Sequence, residues 1–96
     1  MSDGVVEAVT GSLILAPNPC TTEPCLPGMA LAIQSDGRRL FLSSSGAFRT
    51  TTTAWAEAEI EPGAVVTVRG VVRERRDVAG RPYLAIEVSS LAPAEA

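Results

Sequence analysis

The dipeptide Asp36-Gly37 stands between two short runs of alternating apolar residues and leaves those runs little choice but to pair. Asp-Gly tolerates the positive φ that a two-residue hairpin turn needs at both central positions. With that turn fixed, Ile33 faces Leu40, Leu31 faces Leu42 and Met29 faces Ser44. Gln34–Arg39, Ala32–Phe41 and Ala30–Ser43 fall on the opposite face. One face is apolar and the other mixed, as a half-buried antiparallel pair requires. Strands are therefore predicted at 29–34 and 39–44.

The remaining punctuation divides the chain further. Residues 17–28 hold prolines at 17, 19, 24 and 27, so this stretch can be neither helix nor central strand. Residues 5–16 before it are rich in strand formers, with Gly11 in the middle, where a glycine usually marks a bulge or bend. Pro62-Gly63 and Ala79-Gly80 mark two later turns, with strands predicted at 64–76 and 82–91. A two-residue turn at Ala79-Gly80 would scramble the faces of that second hairpin. A three-residue loop, Val78-Ala79-Gly80, places Val72–Ile86 and Gly70–Val88 on the core side. It leaves Arg75–Tyr83, Arg73–Ala85, Val71–Glu87 and Arg69–Ser89 outside. Between the hairpins, Thr53 could cap a short helix over 54–60 with Trp55 and Ile60 turned inward. The alternating alanines there also fit an irregular strand.

Ninety-six residues make one domain, and a hydrophobic fraction of 46% is enough to build a core. No apolar run approaches the ~18 residues of a membrane helix. Histidine is absent, which removes the usual general base and His-ligated metals. Ser43-Ser44-Ser45-Gly46 and Thr50–Thr53 match neither a phosphate-binding loop nor a nucleophile elbow. The expectation is a protein that is not an enzyme and carries no cofactor or metal.

The net charge of −3 conceals a segregation. Residues 1–28 carry Asp3, Glu7 and Glu23 with no cation, and residues 51–64 carry Glu57, Glu59 and Glu61 with none. Residues 65–85 hold five of the eight arginines, at 69, 73, 75, 76 and 81, against Glu74 and Asp77. The absence of lysine fits GC-rich codon usage, of the kind met in bacteria. The clustering still predicts a local basic patch on an acidic protein. The glutamates at 57, 59 and 61 are expected to form a solvated face.

The order strand, long loop, hairpin, short helix, hairpin resembles the OB-fold, a small five-stranded, partly open Greek-key barrel. The run from Ile60 through Pro62-Gly63 to Gly70 looks like that fold's entry to its fourth strand. The resemblance covers nearly the whole chain, 1–96. It implies an all-β, OB-like barrel with one short helix between strands three and four. It also implies a ligand face outside strands two and three, flanked by the first and last loops. The residues predicted to line that face are Gln34, Arg39 and Phe41, joined by Arg73, Arg75 and Tyr83 from the last hairpin.

Three guanidiniums beside aromatic rings suit single-stranded nucleic acid, where stacking contributes ~1–3 kcal/mol per base and phosphate contacts add a salt-dependent part. The leading expectation is thus a non-catalytic binding module. The alternative is a protein-interaction or structural module whose proline-rich loop is stapled by Cys20 and Cys25. These two cysteines could be free thiols, a local disulfide or a shared metal site. The disulfide is the simplest chemistry, since two thiols alone leave a zinc site half empty. An acidic start, Met1-Ser2-Asp3, has no apolar leader and points to the cytoplasm. Export is the expectation if a leader has been removed.

Overall fold

The computed structural model describes residues 4–25, 27–57 and 59–94. The chain forms β1 (Val5–Pro17), β2 (Met29–Ser35), β3 (Arg38–Ser44), β4 (Ala47–Phe48), β5 (Val65–Arg76) and β6 (Pro82–Pro93). Five of these close a ring. β1 pairs antiparallel with β2 and with β5, β2 with β3, and β5 with β6, while β3 lies parallel to β6. This closed, all-strand ring is compatible with a small barrel.

β1 serves two neighbours because it bends. Its first half runs along β5, its second half along β2, and Ser12 pairs with both Val65 and Gln34. Gly11 stands at that transition, where a Cβ would fall on the carbonyl of Gln34. Only glycine lets the two backbones approach so closely.

Strand alternation sends one set of side chains inside the ring. Leu13, Leu31, Ile33, Leu40, Leu42, Val66, Val68 and Ile86 are fully buried there, with Val9, Val72, Val88 and Leu91 around them. The Asp36-Gly37 turn forms as expected, with φ of 50° and 78°, and pairs Ile33–Leu40, Gln34–Arg39 and Ala32–Phe41.

The expected pairs Leu31–Leu42, Met29–Ser44 and Ala30–Ser43 do not follow in that register. The chain instead reverses a second time at Ser45-Gly46, again with positive φ at both residues (53° and 80°). β4 then takes the edge of β3, pairing Ser43 with Phe48 and Ser44 with Ala47. The Leu31 amide donates to the Arg49 carbonyl at 2.8 Å. The serine-rich stretch 43–46 thus turns a tight hairpin, and it adds a sixth strand to the five predicted.

The last hairpin keeps the three-residue loop and pairs Arg75–Tyr83, Arg73–Ala85, Val71–Glu87, Val72–Ile86 and Gly70–Val88. Arg69 pairs with Ser90, not with Ser89, because the register shifts between Arg69 and Gly70. The extra residue restores Leu91 to the inside beside Val88, three positions earlier.

No helix forms among the described residues, which corrects the helix expected over 54–60. Residue 58 of that span lies outside the described set. The Thr52 carbonyl accepts both the Trp55 and the Ala56 amides at 3.0 Å, closing one turn. A single turn following a run of β-branched threonines cannot repay the cost of helix nucleation. The buried Thr52 hydroxyl accepts the Ile60 amide at 2.7 Å and holds the segment, so Thr52, and not Thr53, anchors it. Trp55 and Ile60 still pack against the core from this end of the ring.

Candidate ligand-binding cleft

Residues alternating with the core point outward, and on one side of the ring they form a second, smaller cluster. Ala16, Ala30 and Ala32 provide a flat floor on which Phe41 lies, with Ile14, Phe48 and Tyr83 packed around it. The three rings contact one another: Phe41–Phe48 centroids are 5.8 Å apart, Phe41–Tyr83 6.1 Å and Phe48–Tyr83 6.4 Å. These are tilted and edge-on contacts of the kind aromatic quadrupoles favour. Phe41 is only 7% exposed. It is therefore the foundation of the aromatic surface and not the open stacking platform that the sequence suggested. Phe48 and Tyr83 are the partly exposed rings.

Two hollows flank Phe48. One, of about 310 Å³, is lined by Thr21, Ser43, Gly46, Phe48, Arg75, Tyr83, Ala85 and Glu87. The other, of about 260 Å³, is lined by Asn18, Pro19, Thr21, Met29, Phe48 and Thr50. Phe48 and Thr21 belong to both, so the two form one groove with a shared ridge. Its outer wall is the proline-rich loop. Cys20 and Cys25 are joined by a disulfide within that loop. The loop is closed at its base by the Asn18 amide on the Gly28 carbonyl (3.1 Å). Its Cys20 carbonyl accepts the Val78 amide of the β5–β6 hairpin at 2.8 Å. The first and last loops of the ring therefore touch directly, one residue from Thr21.

The electrostatics of the larger hollow are organised by Glu87. Its carboxylate accepts the Ser43 hydroxyl at 2.8 Å, the Ser45 amide at 2.5 Å and the Gly46 amide at 3.4 Å. Partial burial alone would raise its pKa, but these hydrogen bonds, with the nearby Arg73 charge, hold it below its usual value. Glu87 thus pins the β3–β4 turn and fixes Phe48 beside it. Asp77 plays a similar part in the β5–β6 hairpin, accepting the Ala79 and Arg81 amides at 2.9 Å each. The Arg81 amide, foremost, with the Ala79 amide and the Arg81 charge, outweighs desolvation and holds Asp77 below its usual range.

The six residues predicted for the ligand face alternate with the core and point away from the inside of the ring, but they are not all at the cleft. Arg75 and Tyr83 line it. Arg73 sits close enough to Glu87 to act on its charge. Phe41 lies beneath the rings, while Arg39 donates to Gln34 at 3.5 Å nearer the Asp36-Gly37 turn, outside both hollows. Arg38, Arg76 and Arg81 are engaged with Glu7, Glu74 and Asp77 respectively. Among the described residues the Arg75 guanidinium has no such partner.

Sequence reasoning passed over Glu87 and Phe48. Glu87 enters there only as the outward partner of Val71, and Phe48 not at all. The Ser45-Gly46 dipeptide was the available signal, since a hairpin there swings Phe48 back onto the outer face. Compared with known proteins, the chain matches no family model and no curated protein.

Proposed function

We propose that the ring is an OB-type barrel and that the chain is a small, non-catalytic binding module. Its ligand is held in the groove between the Cys20–Cys25 loop, the β3–β4 turn and the β5–β6 hairpin. The observation that carries this reading is the hollow of about 310 Å³ in which Arg75, without an acidic partner among the described residues, stands beside the Tyr83 and Phe48 rings. Its size is at the lower end of ligand pockets generally. The parallel placement of the last strand against the third, and the direct contact of the first and last loops, support the OB assignment.

Single-stranded nucleic acid is the ligand this chemistry fits best. Arg75 would fork a phosphate while a base rests against Tyr83 or Phe48. The test is an amide NMR titration with a short pyrimidine-rich strand at about 20 and 200 mM salt. Shifts should concentrate at Thr21, Phe48, Arg75, Tyr83 and Glu87 and fade at the higher salt. Arg75→Ala should weaken binding and lower the salt slope by about one. An absence of shifts at low salt would overturn the nucleic-acid reading, because electrostatic attraction is greatest there.

A second reading is favoured by the Cys20–Cys25 bond, since disulfides persist in oxidising compartments. In it the module is exported and its stapled loop docks a protein partner. Binding would then be indifferent to salt and to Arg75→Ala. Among the described residues no helix is long and apolar enough to cross a membrane.

A further inference from the structure

We propose that the Cys20–Cys25 pair is a redox-sensitive latch that sets the outer wall of the groove; this rests on reading the groove as the ligand site. Thr21, next to Cys20, is the loop residue common to both hollows, and Asn18 and Pro19 line the smaller one. The contact between this loop and the opposite hairpin is made by a cysteine's own backbone, the Cys20 carbonyl accepting the Val78 amide. Moving Cys20 therefore moves the wall and breaks its tie to the β5–β6 hairpin in one event.

The sequence leaves the loop little to fall back on. Prolines at 17, 19, 24 and 27 have no amide hydrogen to donate. Within the loop, the structure provides the Asn18–Gly28 closure, the Asn18 side-chain amide on the Pro27 carbonyl at 3.5 Å and the Thr22 hydroxyl on the Pro24 carbonyl at 3.2 Å. The two side-chain contacts are long, and Thr22, Pro24 and Pro27 are exposed while Asn18 is half-buried. The covalent link does what a backbone hydrogen-bond network would do elsewhere. It is also within reach, since Cys25 and its neighbours Glu23 and Pro24 are exposed and Cys20 is half-buried.

A small dithiol or a dithiol protein is the reductant class that fits. Its thiolate attacks one cysteine sulfur, breaking the Cys20–Cys25 bond and forming a mixed disulfide. Its second thiol then displaces the cysteine and closes the reductant's own disulfide. Two electrons and two protons end on Cys20 and Cys25 as thiols. Opening a ring of this size relaxes a chain-entropy constraint equivalent to about 40-fold at most in the population of the ordered loop.

The test compares the whole chain oxidised, after dithiothreitol, and as a Cys20→Ser/Cys25→Ser double variant. Hydrogen exchange at the Val78 amide should rise about tenfold or more in both opened forms, while the Leu42 and Ile86 amides keep their protection. Amide shifts of Thr21, Phe48 and Tyr83 should move with it and return on reoxidation. The Kd for a thymidylate pentamer should rise, by up to about 40-fold, on reduction. Val78 exchange within about twofold across the three states would overturn the latch, as would loss of Leu42 and Ile86 protection alongside it. A Val78 response with no pentamer binding in any state supports the latch and removes only the nucleic-acid reading.

Discussion

Replacing Glu87 with Gln tests whether one carboxylate holds the floor of the groove. The side chain keeps its size, but it loses its charge and turns one acceptor oxygen into a donor. The Ser43 and Ser45 bonds, at 2.8 and 2.5 Å, are short; the Gly46 bond, at 3.4 Å, is long and contributes little. A hydrogen bond to a charged acceptor contributes about 1 kcal/mol more than a neutral one, so two short bonds account for about 2 kcal/mol. Glu87→Gln should therefore lower the urea midpoint at pH 7 with an unchanged m-value. In a chain of this length that loss corresponds to a fall in Tm of about 8–16 °C. The pH dependence gives an independent check. Glu87 titrates below its usual value near 4.5 in the folded chain, so its contribution is complete above that value. It is lost as pH falls through the lower folded pKa. The gap between wild type and variant should thus close on acidification from pH 6 to below the folded pKa. Equal stabilities at pH 7, or a gap of constant size down to that acid limit, would refute the reasoning.

Three further outcomes follow from particular contacts. Gly70→Ala should destabilise the fold by about 1–3 kcal/mol in chemical denaturation, because a Cβ there falls on the Glu87 carbonyl and neither backbone can yield freely. Thr52→Val keeps the shape but leaves the half-buried Ile60 amide without its acceptor, and should cost about 1–2 kcal/mol by the same measurement. Asp77 is depressed below its usual value near 3.8, so its hold on the hairpin is complete above that pH and is lost as pH falls through the folded value. Asp77→Ala should accordingly speed exchange of the Ala79 and Arg81 amides at neutral pH and leave the Leu42 amide unaffected.

Most of the ring was legible because its strands obey local rules. Asp36-Gly37 fixed one register, and the contrast between Val72–Ile86 inside and Arg75–Tyr83 outside fixed another. The failures have physical causes of the same kind. The Val88–Leu91 spacing of three breaks the two-residue period, and that break was the mark of the bulge displacing Ser89. The helix over 54–60 was inferred from a capping residue and alanines, but the preceding threonines found better use for their hydroxyls and carbonyls than a helix could offer. At the groove, strand register placed Arg73, Arg75 and Tyr83 on the outer face. Which ring would be buried depended on the second reversal at Ser45-Gly46, which exchanged Phe41 for Phe48 at the surface.

The two sides of the groove are held by different kinds of force. Along β6, alternation makes Ile86 fully buried and turns Glu87 outward, so the floor that Glu87 organises is only as movable as the core itself. Phe48 and Tyr83 inherit that rigidity through Phe41. The opposing wall has no such backing: Thr21 to Cys25 carry no core side chain, and their position rests on a disulfide and the Val78 tie. A ligand would meet a preorganised surface on one side and an adjustable one on the other. On the proposed reading, chemical selectivity would belong to Arg75, Tyr83 and Glu87, whose backbones β5 and β6 hold in register. Access and residence time would belong to the loop, whose local opening is expected to cost less than unfolding the ring. Substitutions in the floor should change which ligand is preferred, whereas breaking the disulfide should change how long any ligand stays.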